Sequence, residues 1–100
     1  MPTPGDPRSA DATVRGPRVD VMVEAETRIG DVQALDRRIA AKQRDLGARR
    51  VVLLLADTRH HRRLLRDLPW FRQRFPLDTR LILAALARGE DPAADGLVIL

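Results

Sequence analysis

Val19-Asp20-Val21-Met22-Val23-Glu24-Ala25-Glu26 puts small apolar residues at every odd position and Asp20, Met22, Glu24 and Glu26 at the even ones. Successive side chains of a strand point to opposite faces, so a period of two predicts a β-strand with one inward and one acidic face. Upstream, Ala10, Ala12 and Val14 alternate with Asp11, Thr13 and Arg15, a second and shorter strand signal. Between the two lies Arg15-Gly16-Pro17-Arg18. Gly suits the first central position of a type II′ turn and Pro is tolerated at the second, which predicts a hairpin with Gly16-Pro17 as its loop. That register sets Val14 opposite Val19, Ala12 opposite Val21 and Ala10 opposite Val23. Asp11 then falls diagonal to Glu24, roughly 7–8 Å away between backbones, near enough for carboxylates to converge on one ion.

Acids gathered on one exposed face repel one another unless a cation or basic side chains neutralise them. Oxygen-rich clusters suit Mg²⁺ or Mn²⁺, which take one or two carboxylates and keep positions for water and phosphate. A solvated strand face that simply carries acids is the plainer alternative, and spacing alone leaves both open.

One hundred residues make one domain with a single modest core. With 44% hydrophobic and 32% charged residues the chain is of globular composition. Cys is absent, which excludes disulfides, thiolate metal sites and a cysteine nucleophile. Met1-Pro-Thr-Pro-Gly-Asp-Pro7 has neither the basic nor the apolar region of a secretory signal, and Val51–Ala56 is too short to span a bilayer. A soluble, cytoplasmic protein with no membrane partner is the expectation. Net charge is +4, unevenly spread: residues 1–31 carry four Arg against six acids, residues 57–75 six Arg and both His against Asp57 and Asp67. An acidic site beside a basic half suits a protein that meets a polyanion.

Residues 1–9, rich in Pro, read as a flexible lead-in, and residues 10–100 as one α/β domain. After the hairpin, over about 10–27, Asp31 predicts a helix N-cap and Gly47 its close. Val32, Leu35, Ile39 and Leu46 share its apolar stripe, and Lys42 stands where a fifth apolar residue is expected. Arg50–Ala56 reads as a strand buried on both faces, hence central and parallel. Asp57 or Thr58 caps a helix over about 58–68, ended by Pro69, with Trp70, Phe71 and Phe75 in the following connection, packed over the core. Asp78 caps a third helix closed by Gly89, and Gly96–Leu100 is a last strand. The order is β-β-α-β-α-α-β, a small mixed sheet with helices.

A hairpin with Asp11 on its first strand, Glu24-x-Glu26 on its second, then a helix with an early Gln33 and a buried strand resembles the PD-(D/E)xK nuclease superfamily. The stretches Glu24–Arg28, Asp31–Leu35, Arg37-Arg38, Lys42–Asp45, Leu54–Arg59, Gly89–Pro92 and Leu97–Leu100 are similar to an uncharacterised C-terminal domain found behind helix-turn-helix modules in actinobacterial transcription regulators. The resemblance covers about residues 6–100 and implies a truncated restriction-endonuclease-like core, lacking an N-terminal helix and the first core strand. A missing helix-turn-helix domain and a homodimer through the open sheet edge are implied partners.

The resemblance makes Asp11 and Glu24 ligands of Mg²⁺ or Mn²⁺, with Glu26 where a Lys usually orients the attacking water. Lys42 offers a substitute amine reaching back toward Glu24 and Glu26; its alternative is an edge lysine with its head in water. Gln33 matches the helix Gln that relatives place near the site. Arg28 pairs with Glu26, meets phosphate, or stays at the surface. Arg59, Arg62, Arg63 and Arg66 form one basic helix face able to hold a DNA backbone. His60-His61 is no metal pair, since adjacent helical side chains diverge. The leading reading is a non-catalytic, degenerate nuclease-like module of DNA-binding transcription regulators, without a cofactor. An active metal-dependent DNA endonuclease and a truncated gene remnant are the alternatives.

Overall fold

A computed structural model describes the backbone of residues 9–100 and the side chains of residues 12–100. The lead-in, up to residue 8, and the metal role expected of the Asp11 carboxylate therefore lie outside the described residues. In chain order the elements are β1 (Ser9–Gly16), β2 (Val19–Glu26), α1 (Val32–Leu46), β3 (Arg50–Leu55), α2 (Arg59–Asp67), α3 (Pro69–Arg74), α4 (Thr79–Ala87) and β4 (Gly96–Ile99). The four strands form one sheet in the order β1-β2-β3-β4. β1 and β2 are antiparallel, whereas β2, β3 and β4 run parallel, the mixed α/β sheet that the periodicities predict.

The hairpin register differs from the expected one. Gly16 pairs with Val19, Val14 with Val21 and Ala12 with Val23, so each partner lies two residues further on. Asp11 is directly opposite Glu24 rather than diagonal to it. The loop is Pro17-Arg18, not Gly16-Pro17. Pro17 takes the first central position, which suits its fixed φ. Gly16 does not have the positive φ of a type II′ turn; among the described residues only Gly47 and Gly89 do. A shift of two leaves each described side chain on its expected face, because faces repeat with that same period.

Both faces of the sheet are covered, and this overturns the exposed acidic face. Met22, Val51, Leu53, Leu55 and Leu97 pack on one side with Val32, Leu35 and Ile39 of α1 and Phe71 and Phe75 of α3. Val19, Val21, Val52 and Val98 pack on the other with Ile82 of α4. Glu24 is 0% and Glu26 5% exposed, because the even-numbered face of β2 lies beneath α1. Gly96 lets α4 come close: a Cβ there would stand 2.2 Å from the Ile82 side chain.

The caps behave as composition predicts. Asp31, Thr58 and Asp78 each accept from the backbone N–H three residues on, and Gly47 closes α1 with φ 66°. Two local expectations fail. Pro69 does not open an irregular connection but starts α3, where its missing N–H costs nothing at a first-turn position. Phe71 and Phe75 are buried, yet Trp70 is 44% exposed rather than packed over the core. On α1 the buried stripe is Val32, Leu35, Ile39 and Lys42, while Leu46 is exposed.

Candidate functional site

Helical spacing brings Arg38 and Lys42, one turn apart on α1, above Glu24 and Glu26, one strand period apart on β2. The Lys42 ammonium donates to both oxygens of Glu24, at 3.0 Å to Oε2 and 3.3 Å to Oε1. Arg38 donates through Nη2 to Glu26 and lies 3.4 Å from Oε1 of Glu24. Among the described residues, two carboxylates thus face two cations in a layer that is nearly dry: Lys42 is 6% exposed, while Arg38 reaches solvent. Such a cluster persists because each buried charge is met by an opposite one; a lone ion there would carry a desolvation cost of several kcal/mol, on the order given by.

Lys42 does reach back from the helix, so the water-exposed alternative does not hold. Lys42 is buried and its head ends on Glu24 rather than in solvent. Glu26 belongs to the same cluster. Gln33 is exposed on the first turn of α1, and among the described residues no hydrogen bond joins it to the acids. Arg28 is exposed and is not the partner of Glu26; that position is filled by Arg38. Among the described residues no group of three or more Asp, Glu or His could hold a metal. Both oxygens of Glu24 already carry a cation, so the described donors do not fit Mg²⁺ or Mn²⁺ as they stand.

On α2, Arg59, Arg62, Arg63 and Arg66 are all exposed. Arg62 is committed to Asp57 through Nε at 2.6 Å and Nη2 at 2.9 Å. Hydrogen bonding to that guanidinium holds the Asp57 carboxyl below its ordinary value, and the carboxylate in turn raises Arg62. Arg66 lies 3.7 Å from Asp67. Arg59 and Arg63 form no ion pair among the described residues, which leaves them the available phosphate contacts on this face.

Periodicity gave no hint of His61, which is 0% exposed. Its Nε2 accepts from the Ile29 N–H at 3.0 Å and its Nδ1 donates to the Ala56 carbonyl at 2.8 Å. Those partners define the neutral tautomer with the proton on Nδ1. His60 donates to the Ile29 carbonyl at 2.7 Å. The adjacent histidines therefore hold both backbone groups of Ile29, and so fix the segment from which α1 starts toward the acids. Asp91 and Asp95 were equally silent in sequence. They accept from the backbone N–H groups of Asp20 and Val51 at 2.6 Å and 2.9 Å, tying the loop before β4 to the starts of β2 and β3.

Comparison with protein-family models, curated proteins and solved structures found no match to this chain. Among the described residues no helix is long and apolar enough to cross a membrane.

Proposed function

We propose that this domain is a non-catalytic module of nuclease-like pattern that serves a DNA-binding transcription regulator. The observation that carries this reading is the state of Glu24. The carboxylate expected to hold a metal is fully buried and has Lys42 on both oxygens, with Arg38 beside it. In that arrangement the acids act as an internal anchor for α1 rather than as an open ligand set. DNA would meet the exposed α2 face, through Arg59 and Arg63, as an electrostatic partner.

The deciding experiment is isothermal titration of Mg²⁺ and Mn²⁺ into the protein, with plasmid nicking on the same samples. No metal binding and no nicking, from protein shown to be folded, is the expected result. Binding and nicking that both vanish in Asp11→Asn/Glu24→Gln would replace this reading with that of an active endonuclease. One observation favours that second reading: Asp11 stands directly opposite Glu24 in the sheet, and the only Lys of the chain ends on Glu24. An active enzyme would need a metal to displace that ammonium.

A further inference from the structure

The two edges of the sheet are treated differently. Along β4 the outward backbone N–H groups are satisfied within the chain: Leu97 N–H donates to the Leu77 carbonyl at 2.8 Å and Ile99 N–H to Thr79 Oγ1 at 3.0 Å. Leu77 also donates to the Asp95 carbonyl at 3.2 Å, so a short segment closes that side. Along β1 the described residues supply no such cover. Its residues from Ala12 to Gly16 are exposed, and Val14 alone leaves 43% of its surface in water.

We propose that β1 is the contact through which two copies of this chain associate, pairing antiparallel about Thr13 into a continuous eight-stranded sheet. Three features select this occupant and this register. The first is hydrogen-bond parity. The Pro17-Arg18 loop makes Gly16 and Val19 a mutually bonded pair, so alternate residues of β1, Val14 and Ala12, also bond to β2. Arg15, Thr13 and Asp11 then turn their N–H and C=O groups outward. A two-fold centred on Thr13 matches Thr13 with Thr13 and Asp11 with Arg15 of the second copy, all outward-bonding positions.

The second feature is charge. Sliding the register so that Asp11 meets Asp11 or Arg15 meets Arg15 opposes like charges, whereas the Thr13-centred register places Asp11 across from Arg15, whose exposed guanidinium also donates to the Leu46 carbonyl at 2.8 Å and lies 3.5 Å from Asp20 within its own chain. The third is the other face. The same register sets Ala12 opposite Val14 of the second copy twice over, on the side that α4 leaves partly uncovered. No Pro or bulge interrupts β1, and the edge therefore lacks those usual devices against pairing. This inference rests on the edge and not on the regulatory reading above.

The test is sedimentation equilibrium on the full chain, alongside circular dichroism. The expected result is a dimer whose association weakens by roughly tenfold or more in Thr13→Pro with unchanged dichroism, because Thr13 gives no ladder bond to β2. Arg15→Asp weakens it in the same direction, and the Asp11→Arg/Arg15→Asp exchange restores it. A wild-type chain that stays monomeric at its highest soluble concentration overturns the proposal. So does a dimer that a folded Thr13→Pro leaves intact. If Thr13→Pro is unfolded, the charge exchange decides: failure of Arg15→Asp to weaken the dimer overturns the proposal.

Discussion

Lys42 occupies a position where the pattern of α1 calls for an apolar side chain, and Glu24 occupies the matching place on β2. Each meets an opposite charge there: Lys42 sits on both oxygens of Glu24, and Arg38 lies 3.4 Å from the same carboxylate. Lys42→Met should therefore destabilise the fold by about 3–5 kcal/mol in urea unfolding, since it removes the ammonium that meets both oxygens of a buried carboxylate. Glu24→Gln added to Lys42→Met should recover much of that loss, for a neutral amide beside a thioether needs no counter-ion. A double variant no more stable than the single one would remove the ion pair from its structural role. Asp57 offers a contrasting case at the surface. Arg62 lowers its carboxyl below the ordinary value of 3.8, so the folded state favours the ionised form. Its contribution is present above that ordinary value and fades as pH falls through the folded one. A carbon-detected NMR titration should show the depressed midpoint, and Arg62→Ala should move it back up. Solvent screening makes the accompanying stability change small.

At the level of elements, the chain predicts where helices begin better than what they lie upon. Asp31, Thr58 and Asp78 are N-caps by residue type, and each accepts the expected backbone N–H. Nothing local says that His61 will reach from α2 to the segment before α1, because Ile29 is 32 residues away in sequence. His61→Ala leaves the Ile29 N–H and the Ala56 carbonyl without their partner, as well as a cavity. The expected cost is about 2–4 kcal/mol. Amide exchange at Ile29 should quicken by more than the global loss predicts, because the clamp acts on that segment. His61→Phe, which fills the space but accepts nothing, should keep the faster exchange. The hairpin makes the same point about register. Alternation fixed which face each described side chain takes, whereas the backbone register sets Asp11 directly across from Glu24 and not diagonal to it. Which residue stands opposite which depended on Pro17 taking the turn position.

For the whole molecule, the consequence of folding is a separation of charge. Glu24 and Glu26 of β2 are internal and face cations of α1, while the arginines of α2 face outward. Of those arginines, Arg59 and Arg63 are without an internal partner among the described residues. Duplex DNA binding measured by fluorescence anisotropy should weaken with salt, and Arg59→Ala/Arg63→Ala should lower the slope of log affinity against log salt by about 2. Arg62→Ala should change that slope less, because Asp57 already neutralises Arg62. Equal slopes for all three proteins would move any DNA contact off this face. By itself the sequence determined the strands, the caps, the parity of the hairpin and the mixed α/β class, since these follow from side-chain period and from contacts three or four residues apart. Only the tertiary structure decided that the acidic face is interior, that Lys42 rather than Leu46 completes the stripe of α1, and that His61 is a clamp. Each of those depends on a partner far along the chain, whose meeting is set by how α1 and α2 settle on the sheet and not by any local preference.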